Sequence, residues 1–105
     1  MAFEFKPLEF RLRYLADAYK LKGDIDAEIV GWKELVRGDL LQPRFSEHLA
    51  DAYARKGDID GEIATWKELV QRHPSRPQYS ACLADAYGRK GDIDAETMSS
   101  IQETH

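Results

Sequence analysis

The chain has 105 residues, of which 43% are hydrophobic and 32% charged, and a formal net charge of −4, proportions that fit one folded domain and exclude a disordered tract. A net acidic chain is a poor ligand for nucleic acid, which needs a basic face, and no apolar run nears the ~20 residues that span a bilayer. Cys82 is the single cysteine, so no internal disulfide can form and an intracellular, cytoplasmic setting is expected.

The segment Leu-Ala-Asp-Ala-Tyr begins at Leu15, Leu49 and Leu83, always 34 residues apart, and each copy runs on into Lys-Gly-Asp-Ile-Asp. Leu15–Val36 and Leu49–Val70 agree at 17 of 22 positions, and Leu83–Glu96 agrees with Leu49–Glu62 at 12 of 14. None of the eight residues after Glu96 matches its counterpart. A fixed period of this length indicates one small unit stacked on itself. One domain over 1–105 is expected: an extension over 1–8, then units at about 9–42, 43–76 and 77–105, the last with a divergent second helix.

In chain order, helices are predicted at Pro7–Lys22, Asp26–Arg37, Pro43–Lys56, Asp60–Arg72, Pro77–Lys90 and Asp94–Gln102. The second unit carries the reasons most clearly. Pro43 suits a first helical turn, where its missing N–H costs nothing. Phe45, Leu49, Ala50, Ala52 and Tyr53 recur at helical spacing. Gly57 tolerates the left-handed conformation that ends a helix, and Asp58 is the N-cap of the next. Asp60 and Glu62 place negative charge in its first turn. Ile63, Trp66, Leu69 and Val70 form one apolar stripe, and His73-Pro74 stops the helix. In the third unit that stripe becomes Thr97, Ser100, Glu103 and Thr104. The last helix is then either a polar cap or a frayed end that leaves Leu83, Tyr87 and Ile93 to dock elsewhere. Phe3, Phe5 and Phe10 form a second apolar cluster, set to cover the first unit's edge or to meet a partner.

The pattern resembles the tetratricopeptide repeat, through Leu15-Ala16, Tyr19 and Trp32; Leu49-Ala50, Tyr53, Trp66 and Pro74; and Leu83-Ala84 with Tyr87. The resemblance implies an all-α fold: an α-solenoid of tandem antiparallel hairpins wound into a superhelix. Two departures stand out. The family's early Trp falls on Leu12, Ser46 and Ser80, where Phe45 and Tyr79, one residue earlier, fill the space. Its small Ala at the start of the second helix falls on Glu28, Glu62 and Glu96. A buried carboxylate needs a partner, so these are expected to be solvated, or bonded to a tyrosine hydroxyl or a backbone amide.

No catalytic, cofactor or metal site is expected. Gly23–Glu28 has alternate acidic residues like a calcium loop, but Ile29 and Leu35 stand where that loop needs Gly and Glu, so helix capping is the expected role. Arg37-Gly38-Asp39 spells an adhesion tripeptide at a unit boundary, which is expected by chance. His48, His73 and His105 have no second ligand at helical spacing, and Cys82 reads as a packing thiol.

The remaining feature is a surface. The resemblance implies a concave groove lined by Arg13, Asp17 and Lys20; Arg44, Glu47, Asp51 and Arg55; and Gln78, Asp85 and Arg89, with Phe10, Leu21, Ala54, Ala81 and Gly88 between them. Asp17, Asp51 and Asp85 would then form an acidic ladder suited to a protein or peptide containing Lys or Arg. Alternatively Asp51 pairs with Arg55, and Asp85 with Arg89, at i,i+4. The expected function is a non-catalytic protein-interaction scaffold. The alternative is a self-assembling module, a homo-oligomer stacked through its array ends, or a fragment of a longer array in a multidomain protein.

Overall fold

The computed structural model describes the backbone of residues 7–103 and the side chains of residues 11–92. Over these residues the chain is all-helical: α1 (Pro7–Lys22), α2 (Ile25–Gly38), α3 (Pro43–Lys56), α4 (Ile59–Arg72) and α5 (Pro77–Glu103). Phe3, Phe5, Phe10, Glu96 and His105, and the question of how the last helix presents its side chains, lie outside the described side chains.

The first four helices follow local chemistry closely. Gly23 and Gly57 take φ values of 81° and 87°, the left-handed region where a Cβ is strained, and so stop α1 and α3. The Asp24 carboxylate accepts from the Ala27 N–H at 3.2 Å and the Asp58 carboxylate from the Gly61 N–H at 2.9 Å, so the two acidic turns are N-caps, as expected. His73 closes α4, its N–H bonding the Leu69 carbonyl at 2.9 Å.

Each helix packs on its successor in the chain: α1 on α2, α2 on α3, α3 on α4 and α4 on α5. Close approach within a hairpin depends on small residues. A Cβ on Gly31 would lie 3.2 Å from the Ala16 Cβ, and one on Gly61 would lie 2.7 Å from the Tyr53 ring. Between hairpins the contact is aromatic. Trp32 is buried against Phe45 and His48 of α3, with ring centroids 6.5 and 4.4 Å away. Trp66 repeats this against Tyr79 of α5 at 6.2 Å. Phe45 and Tyr79 are both buried, as their place one residue before the family's Trp position leads one to expect. With Ala16, Ile29, Leu35, Leu49 and Ala52, Trp32 and Phe45 form the main core. The radius of gyration is 16.8 Å, against roughly 13 Å for a compact globule of this length.

The third unit departs from expectation. The turn anticipated at Gly91 does not form, and the two helices expected at Pro77–Lys90 and Asp94–Gln102 are one 27-residue helix. Among the described glycines only Gly23 and Gly57 have positive φ, so Gly91 is helical. A mid-helix Gly costs only about 1 kcal/mol relative to Ala. Breaking the helix gives up several backbone hydrogen bonds, and only a buried stripe on the second helix compensates. Thr97, Ser100 and Glu103 supply no such stripe.

Candidate functional site

The least expected chemistry lies at the boundaries between units. Glu28, 1% exposed, accepts from the Trp32 indole N–H at 2.9 Å on its own helix. It also accepts a bidentate pair of bonds from the Arg55 guanidinium of α3, at 3.1 and 2.6 Å. The Nε–H of that guanidinium donates to Asp51 at 2.9 Å. The second boundary is built the same way. Glu62 accepts from Trp66 at 3.0 Å and from Arg89 at 2.9 and 2.7 Å, and Arg89 Nε donates to Asp85 at 2.9 Å. At each boundary an ammonium pair closes the rim: Lys56 to Asp26 at 2.7 Å and Lys90 to Asp60 at 2.8 Å.

The partners expected for these carboxylates are therefore corrected. Neither Glu28 nor Glu62 is solvated, and neither bonds a tyrosine hydroxyl or a backbone amide. The Glu and Trp are visible in the sequence at i,i+4, and the Arg is visible 27 residues on, one turn after the repeated Asp. The link between them is not visible, since the family pattern places Arg55 and Arg89 in the groove. Burial pushes each carboxyl pKa up, but the Arg hydrogen bond, the indole bond and the guanidinium charge together hold both below the usual carboxylate value. The hydrogen bonds that Arg55 and Arg89 donate to Glu28 and Glu62 raise the guanidinium pKa values in turn.

All ten residues assigned to the groove are exposed and lie on α1, α3 and α5. The alternative pairing at i,i+4 is present at both sites: Asp51 holds Arg55 and Asp85 holds Arg89. Asp17 differs, because Leu21, 89% exposed, stands where an arginine would answer it. Glu47 accepts a bond from the Tyr79 hydroxyl of α5, whose pKa is raised by burial and by that carboxylate; Arg76 donates to the same hydroxyl at 3.3 Å.

Two side chains stand at the seams of this face. His48 is lowered by burial first, and it also feels Lys20, Asp17 and Arg13 of α1 and Asp51 of its own helix. Cys82 is raised by burial first, and then by Asp85, Glu47 and Glu62. A thiol held protonated suits the packing role and not a nucleophile. Between α3 and α5 the direct link is the Tyr79–Glu47 hydrogen bond.

Two open clefts flank the packed helices. One of about 410 Å³ lies where Gly57 and Ile59 approach Arg89 and Asp92. The other, about 370 Å³, lies between α2 and α4 over Ser46, Leu49 and Tyr53. Arg37 of the adhesion-like tripeptide is tied to Glu34 at 2.7 Å, and Gly38 is the last residue of α2. Among the described residues no group of three or more His, Cys, Asp or Glu is placed to hold a metal ion. None of the described helices is long and apolar enough to cross a membrane. No protein-family model matches the chain, and a search of curated proteins finds no significant match.

Proposed function

We propose that the chain is a tetratricopeptide-like α-solenoid, a non-catalytic scaffold whose concave face on α1, α3 and α5 binds a segment of another protein. The observation that supports this reading is the set of exposed, charged residues that α1, α3 and α5 carry, with Tyr79 of α5 donating its hydroxyl hydrogen bond to Glu47 of α3. Its chemistry is narrower than a row of three free carboxylates. Asp51 and Asp85 are answered by arginines of their own helices, whereas Asp17 forms no ion pair among the described residues. A bound segment would place a Lys or Arg at Asp17 and acidic or neutral residues beside Arg13, Lys20 and Arg44. The junctions beneath are closed by paired Arg–Glu bonds, which hold α3 and α5 to the helices below them.

The test is fluorescence anisotropy with labelled peptides of equal length and basic, acidic or alternating charge. Binding of a Lys-containing peptide that weakens with salt, and weakens further in Asp17→Lys, supports the reading. If no peptide binds and a broad pull-down recovers nothing that Asp17→Lys loses, the reading falls.

A further inference from the structure

The continuous run of α5 leaves one face of its first half uncovered. In the second unit the equivalent face is Ser46, Ala50 and Tyr53, buried or half-buried beneath α4; in α5, Ser80, Ala84 and Tyr87 differ, Ser80 and Tyr87 being exposed, Tyr87 at 46%, and Ala84 losing the cover that Ala50 has. The intact hairpins show what such a seat accepts, a helix with small residues in fixed register. Gly61 lies on Tyr53, the two placed symmetrically about Gly57, and Gly31 lies on Ala16, placed symmetrically about the Gly23-Asp24 turn. The third unit keeps small residues at both matching positions, Ala95 for Gly61 and Ser99 for Gly31, although every position of its outer stripe has turned polar. The seat and the sequence that fits it are therefore both retained. In the continuous helix they lie apart, Ala84 and residue 99 being roughly 22 Å distant along the axis.

We propose that this chain forms a two-fold dimer in which residues 92–103 of one copy cover the Ser80, Ala84 and Tyr87 seat of the other. Because Tyr87 and residue 95 are symmetric about Gly91, and Ala84 and residue 99 about the Gly91-Asp92 bond, two antiparallel α5 helices crossing there bring Tyr87 of each copy to position 95 of the other, in the register of an intact hairpin. A Cβ placed on Gly91 would meet no atom within 4 Å, so the crossing point is open. The arrangement is isologous and closes on itself, as exchanged elements commonly do. Head-to-tail stacking of array ends, by contrast, lacks its chemistry: Leu21 stands where Arg55 and Arg89 grip a carboxylate, and Ser100 where a Trp would lie. The proposal does not depend on peptide binding by the concave face.

Sedimentation of the whole chain should give twice the 12.0 kDa chain mass, falling to the monomer on dilution. Ala84→Glu, at the centre of the uncovered seat, should return it to the monomer with unchanged helicity. In a Cys82→Ser background, oxidation of chains carrying both Ala84→Cys and Ser99→Cys should give a covalent dimer. A monomer at every concentration overturns the proposal. So does a disulfide closed within one chain, the mark of a folded-back hairpin, or a dimer indifferent to Ala84→Glu.

Discussion

Lys56–Asp60 and Lys90–Asp94 have the same sequence, Lys-Gly-Asp-Ile-Asp, yet the first is a turn and the second lies within a continuous helix. The local signals are identical in kind, a C-terminal Gly followed by an Asp able to cap. The difference lies in the residues downstream. α4 brings Ile63, Trp66 and Leu69 to bury and Glu62 to join to Arg89. The residues after Asp94 bring Thr97, Ser100 and Glu103. A capping signal therefore makes a turn available, and burial further along decides whether it is used.

The comparison can be broken at its strongest point. Trp32→Ala, at a fully buried indole, should cost about 3–5 kcal/mol in urea denaturation. Trp66→Ala should cost less, since that ring is only half-buried; equal losses would mean that the two junctions are energetically alike. Arg55→Ala leaves Glu28 buried without its cation and should cost about 2–3 kcal/mol, below the usual figure for a broken buried pair because Arg55 itself is partly exposed. Replacing both, Glu28→Leu with Arg55→Met, should recover most of that loss.

Acid should separate the junctions in two stages. His48 belongs only to the first, with Cys82 at the same position of the second. Its folded pKa lies below the ordinary 6.5, so on acidification the unfolded chain takes up the proton first, and stability falls as pH drops from about 6.5 toward the folded value. Glu28 and Glu62 are held below the ordinary 4.5, so their contribution is complete above that pH and is lost as pH falls through their folded values. Indole fluorescence during an acid titration should report the first stage in Trp66→Phe and not in Trp32→Phe.

Smaller effects test the turn itself. Gly57→Ala should cost about 1–2 kcal/mol, because φ there is left-handed. Gly91→Ala should stabilise by up to about 1 kcal/mol, because that glycine is helical. The same substitution in the same pentapeptide thus changes sign, and a loss of stability at both sites would contradict a continuous α5. Asp51→Asn, at an exposed i,i+4 pair, should change stability by only about 0.3–0.5 kcal/mol.

Four of the five helices are legible in the sequence, because Pro43, Gly57, Asp58 and the apolar stripes act within a few residues of where they stand. The end of the array is half legible. The loss of the stripe after Glu96 is plain, but the resulting fusion of two helices is not, because it depends on a balance between turn and burial and not on a motif. At the boundaries every residue stands out in the sequence, and the pattern misplaces their roles. Glu28 looks like a departure and Arg55 like a ligand contact, since nothing in a linear pattern says that residues 27 apart share one bond.

The spacing of that junction has a consequence for how such a chain can change in length. Glu28 is matched by Arg55 and Glu62 by Arg89, each across one boundary and in the same register. Removing residues 43–76 would bring Arg89 to Glu28 and Tyr79 to Trp32, and duplicating them would insert another complete junction. Loss or gain of a whole period leaves each junction carboxylate, Glu28 or Glu62, with an arginine in register. An array joined in this way can be shortened or extended by genetic recombination without its interfaces having to be reinvented.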